Sequence, residues 1–588
     1  MELNETFDVI IAGAGPSGCV LASRLSEESD KQILLIEAGP DAVAPGAEHP
    51  DLLDPFSPVA STNQAFHWPG LVAETGADLG DDSQRTTIPY IQGYGIGGAS
   101  NINGMGVDRG QPGDYDEWRD LGAQSWGWEG VLPYFKKLER DLDFSDPAAL
   151  SMHGDSGPMP VRRFPRSRWA PFAAAIGDAL QRRGFAYIED YTADFRDGFS
   201  AVPTNCLPDR RVSASMAYLT REVRRRPNLK VLANTNVDRL SIEGKRADGV
   251  FVRANRTTRL LRGRQIIVSC GAIQSPALLM RSGIGPGKSL AGLGIEVVHN
   301  LPGVGANLQN HPCVAVTAYL PREAAQAADN NSFLQNWLRF SSKHPGCDQN
   351  DMHLMPFNKC DWHKLGGRVG AVVVSVLKSY SKGRVELSSA DPVTAPKVHF
   401  NLLGDSRDDE RLVTGLRFVL ELLTDPVVMK MRRQMFIPNG RLVVNLSRRN
   451  SFNRLKAAAI AAVLDRAPLR DMLLAKSRID PERLLADEIA LRNFVRRYAQ
   501  PQYHVSGTCR LGSAADAEAV VDSNAWVYGI ESLRVVDASI FPIIPRAYTH
   551  FVVIMAAEKV ADVIKAEWRS PRGGSSTNHG ARVHYLNK

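Results

Sequence analysis

The chain has 588 residues and a formal net charge of +6, with 44% hydrophobic, 23% charged and 7% aromatic residues. This balance is typical of a globular protein with a large core and two or more domains. It argues against a nucleic-acid-binding protein, which would show a basic stripe with interleaved aromatic residues.

Cysteine usage and the N-terminal residues bear on the compartment. Seven cysteines are scattered along the chain and form no C-x-x-C pair. This favours reduced thiols and argues against a zinc site or a disulfide framework. The N-terminal residues carry no basic segment, and no apolar run reaches about 20 residues. We therefore expect a cytoplasmic protein with no metal site.

The chain begins with a strand–turn–helix–strand unit. An apolar, β-branched run at residues 8–12 predicts a buried parallel strand. Gly13, Gly15 and Gly18 follow at G-x-G-x-x-G spacing, and apolar residues then recur at helical period. A second apolar run at residues 33–36 predicts the next strand.

This unit has the chemistry of a dinucleotide site. Gly13 permits the tight turn, Gly15 lets the backbone approach a pyrophosphate, and Gly18 lets the helix pack close to the strand. Glu37, at the tip of the second strand, can accept both hydroxyls of an adenosine ribose. Because all these parts occur in order, a glycine-rich turn without a ligand is the weaker interpretation. The motif leaves open whether the dinucleotide is FAD or a nicotinamide cofactor.

A second glycine-rich segment spans residues 93–110 and holds seven glycines in eighteen positions. Such a run cannot form an ordinary helix. A backbone with so few Cβ atoms suits close approach to a large flat or charged ligand. Apolar residues within the run indicate a packed segment and not a flexible loop.

The remaining elements follow from periodicity and turn signals. We predict helices at residues 116–121, 130–140, 170–183, 213–224, 271–279, 410–423, 452–464 and 549–565, and strands at 229–233, 264–269, 370–376, 383–387 and 533–536. From residue 312 to about 489 the composition changes, and alternating patterns indicate an antiparallel sheet in a second domain.

Five blocks behind the nucleotide motif together resemble one family, the glucose–methanol–choline flavoprotein oxidoreductases. Residues 93–110 resemble its first signature, and GAIQSPALLMRSGIG at 271–285 matches its second. PGVGANLQNHP at 302–312, YHVSGTCRLG at 503–512 and LRVVDASIFP at 533–542 are similar to its other recurring blocks. The resemblance covers residues 7 to about 565, and the layout is nearest to the bacterial hydroxymethylfurfural oxidase-like and aryl-alcohol oxidase-like branch.

The resemblance implies an α/β chain, α+β overall, with a Rossmann-like FAD-binding domain and a second, mainly antiparallel-sheet substrate domain. The FAD-binding domain would be discontinuous, built from residues 1–160, 205–315 and 490–568. The substrate-binding domain would comprise residues 161–204 and 316–489. Residues 569–588 are expected to form a disordered tail.

The family implies FAD as the cofactor. The histidine that attaches FAD covalently in some relatives corresponds to Ile102 here, so the resemblance implies non-covalent binding. The cofactor-binding residues carried over, together with those of the nucleotide motif, are Gly13, Gly15, Pro16, Gly18, Glu37, Ala38, Ser100, Asn103, Gly104, Val237, Tyr503, Asp537 and Ala538.

The resemblance also assigns the chemistry. His504 matches the catalytic histidine of the family, and His550 is aligned with a second position that is histidine or asparagine in different members. One would act as the base that takes the hydroxyl proton while a hydride moves to the flavin N5, and the other would hold the substrate oxygen. Tyr503 would pack on the flavin. His311 is interpreted as structural, and Cys270 and Cys509 as unactivated thiols.

The predicted function is oxidation of a primary alcohol, aromatic, furanic or similar, to the aldehyde. Two alternatives within the family are a hydroxynitrile lyase, in which FAD takes no redox part, and a fatty-acid photodecarboxylase. The expected partners are a small-molecule alcohol and O2 or a quinone as electron acceptor, with no nucleic acid. The motifs do not distinguish an oxidase from a dehydrogenase.

One segment is not explained by the family motifs. Residues 448–478 hold eight basic and two acidic residues. The favoured interpretation is a solvated pair of surface helices, without membrane association. The alternative is an amphipathic lid or a membrane-surface patch, which would suit electron transfer to a quinone.

Overall fold

The structure is a computed structural model that describes residues 6–76, 86–254, 257–327 and 329–569. Most of the predicted tail, residues 570–588, lies outside the described residues. The strands are β1 (Thr6–Ala12), β2 (Ile33–Ile36), β3 (Val72–Glu74), β4 (Thr87–Pro89), β5 (Glu139–Asp141), β6 (Met159–Arg163), β7 (Gly198–Ala201), β8 (Pro203–Thr204), β9 (Leu229–Leu232), β10 (Asn236–Glu243), β11 (Arg246–Ala254), β12 (Thr257–Val268), β13 (Ile284–Gly285), β14 (His299–Asn300), β15 (Pro312–Tyr319), β16 (Asn336–Phe340), β17 (Met352–Phe357), β18 (Val369–Val376), β19 (Arg384–Glu386), β20 (Lys397–His399), β21 (Met435–Phe436), β22 (Gln500–Pro501) and β23 (Leu533–Val535).

The helices complete the chain. They are α1 (Pro16–Leu25), α2 (Pro50–Leu53), α3 (Pro58–Ser61), α4 (Pro112–Asp120), α5 (Trp128–Leu138), α6 (Pro171–Arg182), α7 (Ala214–Tyr218), α8 (Arg221–Arg224), α9 (Gly271–Arg281), α10 (Gly287–Gly292), α11 (Ser406–Leu423), α12 (Pro426–Lys430), α13 (Gly440–Ser447), α14 (Ser451–Leu464), α15 (Ala467–Leu474), α16 (Pro481–Ala486), α17 (Glu488–Tyr498) and α18 (Thr549–Arg569). Among the described residues, no helix has the length and apolar content needed to cross a bilayer.

The first sheet carries the nucleotide motif. Its parallel strands lie in the order β9-β2-β1-β12-β23, and the hairpin β10-β11 extends it in antiparallel fashion. Numbered along the chain, the parallel strands have the order 3-2-1-4-5 of a dinucleotide-binding fold, which places the carboxyl end of β1 at the centre of the sheet. The predicted Rossmann-like architecture is confirmed.

The helix α1 follows β1 and is fixed by the long C-terminal helix α18. Arg24 on α1 forms an ion pair with Glu558 on α18 at 2.8 Å, and Tyr218 on α7 donates to the same carboxylate at 2.8 Å. The side chain of Glu558 is fully buried, so its charge needs both partners. This contact joins the two ends of the chain around the nucleotide motif.

The second sheet is antiparallel throughout. Its strands lie in the order β7-β16-β17-β18-β15-β21, with β22 also paired to β15. The amphipathic helix α11 packs on this sheet through buried apolar residues, among them Leu412, Leu416 and Val419. The predicted second, mainly antiparallel domain is confirmed as a fold, whereas its exact segment boundaries stay a prediction.

Most predicted elements are present, and one differs. The helix predicted at residues 213–224 is interrupted, because Leu219 and Thr220 leave the helical conformation between α7 and α8. Ser213 caps the first piece through Met216 N–H, and Thr220 caps the second through Val223 N–H. A hydroxyl side chain at an N-cap satisfies a free backbone donor and so restarts the helix.

Candidate active site

The turn between β1 and α1, which we call the cradle, has the shape of a phosphate-binding loop. Gly13 has φ +98°, and a Cβ there would lie 2.5 Å from the carbonyl oxygen of Ser269. At Gly15, in contrast, a Cβ would have only Ser269 O within 4 Å, at 3.9 Å. Gly15 is also the N-cap of α1, whose first helical residue is Pro16, and no side chain caps this end. The N-terminus of α1 thus has no side-chain cap, and its backbone donors and helix dipole suit a pyrophosphate.

Gly18 allows α1 to lie directly on this turn. A Cβ at Gly18 would overlap the carbonyl oxygen of Gly13, and a backbone oxygen has no room to move aside. We expect Gly18→Ala to abolish FAD binding, measured as flavin absorbance per mole of purified protein. Gly292→Ala, where a Cβ meets nothing within 4 Å, is the control and should keep full flavin content. Stoichiometric flavin in Gly18→Ala would show that the helix can shift.

Glu37 joins the cradle to the second glycine-rich segment. Its carboxylate accepts hydrogen bonds from the N–H groups of Ala14 at 2.9 Å, Gly39 at 2.9 Å and Gly95 at 3.2 Å. Burial raises the pKa of Glu37, and these backbone donors oppose that rise. Three of the roughly four acceptor positions of the Glu37 carboxylate are thus occupied by backbone donors. One position is left for a ribose hydroxyl, whereas the sequence predicted that Glu37 would accept both ribose hydroxyls. The adjacent Ala38 carbonyl accepts from Tyr94 Oη at 3.1 Å.

The segment 93–110 packs on the cradle as a rigid backbone. Gly97 N–H donates to the carbonyl of Ala14 at 2.7 Å, and a Cβ at Gly98 would lie 3.0 Å from Gly15 Cα. Ser100 caps this bend by donating to the Gly97 carbonyl at 2.6 Å. Glycine is required here by close approach of the two protein segments, and the predicted close approach to a ligand stays a prediction.

The segment continues into an open face at Asn103 and Gly104. Both the side-chain and main-chain oxygens of Asn103 accept from buried Arg211, at 3.3 and 3.0 Å. Beside it, a Cβ at Gly104 would meet only Leu334, at 3.7 Å. A cavity lies against this face, lined by Gly104, Met105, Phe333 and Leu334 among others.

Two more predicted residues border the cradle. The Asp537 carboxylate accepts from Gly271 N–H at 2.8 Å, from Ser275 Oγ at 2.5 Å and from Ser539 N–H at 2.8 Å. Burial raises the pKa of Asp537 against these donors. Ala538 follows it, and its carbonyl accepts from Gly507 N–H at 3.0 Å. This residue pair therefore ties the helix α9 to the block that carries His504.

Val237 lies on β10, near the end of β2. It is buried on β10, two residues after Thr235, whose N–H donates to the Glu37 carbonyl at 2.9 Å. This places it near the tip of β2, where the adenine end of the cofactor is expected. Its contact with adenine stays a prediction.

Several buried polar atoms along these segments have no partner within the described protein. They include Ser17 Oγ, Ser269 Oγ, Ser506 Oγ, Ser539 Oγ and both ring nitrogens of His550. Buried polar groups are normally hydrogen-bonded, and these groups sit beside the cradle, the His504 block and the start of α18. The donor set fits a long, polar, phosphate-bearing cofactor, as FAD would be.

His504 is placed against a second histidine. The Nδ1 atoms of His504 and His311 are 2.9 Å apart, and the Nε2 atom of His311 lies 3.1 Å from the carbonyl oxygen of Pro545. Because a carbonyl only accepts, His311 carries its proton on Nε2. Burial lowers the pKa of His311 to about 4, so this ring is neutral and its Nδ1 is an acceptor.

The proton between the two rings therefore belongs to His504 Nδ1. Burial lowers the pKa of His504 well below its usual value, with His311 and His353 adding to the effect. A neutral imidazole that is protonated on Nδ1 has a free lone pair on Nε2. His504 Nε2 makes no hydrogen bond within the described residues, and it can accept a proton from a bound hydroxyl.

The block at residues 302–312 holds this pair in place. Asn310 Oδ1 accepts from the N–H of His311 at 2.9 Å and from the N–H of His504 at 3.0 Å. Gln309 Oε1 accepts from Ile544 N–H at 2.7 Å. Tyr503, just before His504, has φ +64° and its ring lies 5.2 Å from that of Tyr90. A non-glycine residue in this conformation is strained, and the network around Asn310 compensates for it.

Tyr548 is the other ring beside His504. The two ring centroids are 4.7 Å apart, and Tyr548 Oη lies 3.2 Å from His353 Nδ1 and hydrogen-bonds to the Met355 sulfur. The predicted second residue, His550, instead neighbours Phe551 and has no hydrogen-bond partner in the described chain. Burial, together with the nearby Arg211 charge, lowers the pKa of His550 to about 3. Its pairing with His504 on one substrate oxygen stays a prediction.

Aromatic and apolar side chains continue from Tyr548 away from His504. Trp337 packs edge-on to Tyr548 with centroids 5.6 Å apart, and Phe333 lies 4.7 Å from Phe357. These residues form one cluster with Leu334, which also lines the cavity beside Gly104. The site therefore offers a proton acceptor next to an aromatic wall.

Sequence reasoning missed His311 and Tyr548 as parts of this site. His311 is the histidine of the block PGVGANLQNHP, and the resemblance of that block was the available signal. Tyr548 lies two residues before His550, and nothing in the local sequence marks it. The thiols are as expected: burial raises the pKa of Cys270 and that of Cys509, which disfavours the reactive thiolate.

A separate buried charge cluster lies around His153. Its Nδ1 is 3.2 Å from Glu139 and from Asp141, and its Nε2 is 2.8 Å from Asp190. Ligand atoms of Glu139, Asp141 and His153 lie within 4.8 Å of one another, a spacing that could hold a metal ion. Arg163 binds Asp141 at 2.8 Å, however, and Arg109 binds Glu139. Arginine already supplies the positive charge that a cation would bring.

The His153 cluster predicts a pH dependence of stability. Burial alone would lower the pKa of His153, but the carboxylates raise it to about 10. Because the pKa of His153 is higher in the folded protein than in the unfolded chain, where it is near 6.5, protonation of His153 stabilises the folded state. This stabilisation is complete below pH 6.5 and is lost as the pH rises toward 10. We expect the stability difference between wild type and His153→Gln to shrink by up to about 1.4 kcal/mol per pH unit over that range. A difference that is constant from pH 6.5 to 9 in thermal unfolding would contradict this.

The chain is similar to known proteins along most of its length. Two family models, both described as GMC oxidoreductase, match residues 7–313 and 379–557. A 5-(hydroxymethyl)furfural oxidase of Methylovorus sp. (strain MP688) is 38% identical over 95% of this chain and 98% of its own length. An oxygen-dependent choline dehydrogenase of Chromohalobacter salexigens is 30% identical over 95% of both chains. The crystal structure of pyridoxine 4-oxidase from Mesorbium loti superposes with a TM-score of 0.78 at 26% identity, covering 95% of this chain and 99% of that one.

Proposed function

Because the chain belongs to the GMC oxidoreductase family, we propose that it oxidises a primary alcohol, aromatic or furanic, to the aldehyde. Oxidation of a CH–OH donor with FAD follows from the family. The proposed histidine base and aromatic substrate rest on one observation: the His311–His504 pair leaves a free proton acceptor beside an aromatic wall.

The residues of the cradle would hold FAD. The α1 N-terminus with Gly13 and Gly15 suits the pyrophosphate, Glu37 suits the ribose, and the segment around Asn103 and Gly104 suits the isoalloxazine end. Bound FAD supplies the two-electron acceptor for the hydride that leaves the carbinol carbon. Ile102, which corresponds to the histidine of covalently linked relatives, supports non-covalent binding.

His504 would act as the base. Its Nε2 accepts the hydroxyl proton of the alcohol, so that the carbon–oxygen double bond can form as the hydride departs. Asn310 fixes its backbone and His311 fixes its ring, so the acceptor atom keeps one orientation. Such preorganisation avoids a reorientation cost during the reaction.

The aromatic wall supports a flat substrate. Phe333 lines the cavity beside Gly104 and packs on Phe357, in a cluster that also holds the buried Trp337, and an aromatic lining favours aromatic ligands through stacking and edge contacts. The 5-(hydroxymethyl)furfural oxidase relative supports a furanic alcohol. We propose O2 as the electron acceptor, with a quinone as the alternative. We also propose a cytoplasmic location, which the seven free cysteines support.

The lyase alternative is not favoured, because the reported relatives are oxidases and dehydrogenases by name. The photodecarboxylase alternative has no specific support in the site.

Stopped-flow mixing tests the proposed alcohol oxidation against both alternatives. The FAD-loaded protein is mixed with furanic, benzylic, aliphatic and amino alcohols, anaerobically and in the dark. Rapid flavin bleaching by furanic or benzylic alcohols is expected. An unbleached flavin in a protein that still cleaves mandelonitrile would favour the lyase. Subsequent mixing with air or a quinone analogue identifies the acceptor.

A further inference from the structure

The surface of residues 440–476 is unusually apolar for a surface that faces water. We name it the helical cover; it comprises α13, α14, α15 and the two residues that follow. The described residues expose sixteen large hydrophobic side chains, and eight of these lie within the helical cover. They are Leu442, Val443, Val444, Phe452, Leu455, Val463, Met472 and Leu473. Single exposed apolar residues are common, but a contiguous set marks an interaction surface.

The helix α14 shows how the set arises. Its inner face is buried through Ala457, Ala461 and Leu464. Its outer face carries Phe452 and Leu455, whose exposures are 71% and 70%, with Val463 further along. These outer positions recur at three- and four-residue spacing or its multiples and so share one side of the helix. The sequence favoured a solvated pair of surface helices, and a solvated face normally carries polar residues at such positions, whereas this exposed face carries apolar ones.

The cover is also positively charged. Arg441, Arg454, Lys456, Arg466 and Lys476 are exposed and make no ion pair with any described residue. Of the two acidic residues of the cover, Asp465 pairs with Arg368 and accepts from Tyr319, whereas Asp471 is exposed and accepts only an amide hydrogen bond from Gln434. The five cations therefore outnumber the one carboxylate that forms no ion pair among the described residues, and the cover offers a partner a net positive charge.

The cover is held firmly to the body of the protein. Arg449 forms an ion pair with Asp51 at 2.8 Å, and Trp362 Nε1 donates to the carbonyl of Ser447 at 2.8 Å. Tyr319 Oη donates to the Ala461 carbonyl at 3.1 Å. The outer apolar residues are thus presented on a fixed platform.

From this combination we propose that the helical cover docks on an anionic lipid bilayer. Exposed aliphatic and aromatic side chains insert at the interface, and unpaired cations bind the lipid phosphates. A second copy of the chain fits less well, because a two-fold contact would bring like charges together. Since no described helix can span a bilayer, the attachment is peripheral. The inference is independent of the substrate proposed above.

Sedimentation of the full-length, FAD-loaded protein with vesicles tests the proposal. The wild type should sediment with phosphatidylglycerol-containing vesicles and not with pure phosphatidylcholine, and added salt should release it. Phe452→Ser/Leu455→Ser and Arg454→Gln/Lys456→Gln/Arg466→Gln should each lower the partition coefficient at least tenfold.

Matched controls distinguish binding through the helical cover from a general effect of removing exposed apolar or charged side chains. Val393→Ser removes an equally exposed apolar side chain, at 69%, and Arg225→Gln/Lys288→Gln/Lys397→Gln removes three exposed cations elsewhere. Both should bind as the wild type does. A wild type that stays in the supernatant with anionic vesicles overturns the proposal. A dimer in solution that Phe452→Ser/Leu455→Ser separates, without vesicle binding, overturns it in favour of a second copy.

Discussion

His504→Ala is expected to keep FAD bound and to lose flavin reduction by alcohol. The substitution removes the atom that accepts the hydroxyl proton, and a positioned general base contributes about 10²- to 10⁴-fold to a rate. The rate constant for anaerobic flavin bleaching in a stopped-flow instrument should fall by that factor. The cradle is formed by other residues, so flavin content should not change.

The control for this experiment is His344→Ala. His344 lies outside the site, 2.6 Å from Glu410 on α11, and its loss should leave flavin reduction intact. If His504→Ala reduces its flavin as fast as the wild type, the base assignment is wrong, and His550 becomes the next residue to test.

The same base predicts a pH profile. Because burial and the neighbouring histidines hold the pKa of His504 well below 6.5, the base is already deprotonated at neutral pH. Flavin reduction in the wild type should therefore stay constant from pH 8 down to 6 and decline only at more acidic pH. A decline centred near pH 6.5 would mean that His504 titrates as an unperturbed histidine.

The nucleotide unit could be predicted from sequence because its geometry is local. Gly13, Gly15 and Gly18 lie within one turn, so the steric reasons for each glycine act between neighbours or against the next strand. The strand β2 and the helix α9 were equally well defined by apolar runs with glycine turns. Within the sheet, only the adjacency of β1 and β2 belongs to this unit, because β9, β12 and β23 come from distant parts of the chain.

The active-site pairings could not be predicted, because they join distant segments. His311 and His504 meet only when the block at residues 302–312 pairs with the one at 503–512, and no periodic pattern records that contact. Tyr548 reaches His504 because α18 begins at Thr549, which orients the residue before it. Similarly, apolar spacing showed that α14 is a helix but could not show that one apolar face would be left uncovered.

The second large effect concerns His311, whose role is to orient the base. Its Nε2 proton is held by Pro545, and its Nδ1 accepts from His504. Without that acceptor, His504 can adopt the other tautomer, in which Nε2 carries the proton and cannot accept one. A residue that fixes a tautomer acts on the rate without touching the substrate.

We therefore expect His311→Phe, which keeps a ring but removes the acceptor, to slow flavin reduction by about 10- to 100-fold, a smaller loss than the roughly 10²- to 10⁴-fold expected when the base itself is removed. His311→Asn offers an amide oxygen near the former Nδ1 and should recover most of the rate. Flavin content should be the same in the wild type and in both His311 variants. A lower flavin content in both variants would instead indicate a structural defect. Wild-type reduction in His311→Phe would show that the hydrogen bond does not set the tautomer. Equal slowing in His311→Asn would show that packing, and not the acceptor atom, is what the site requires.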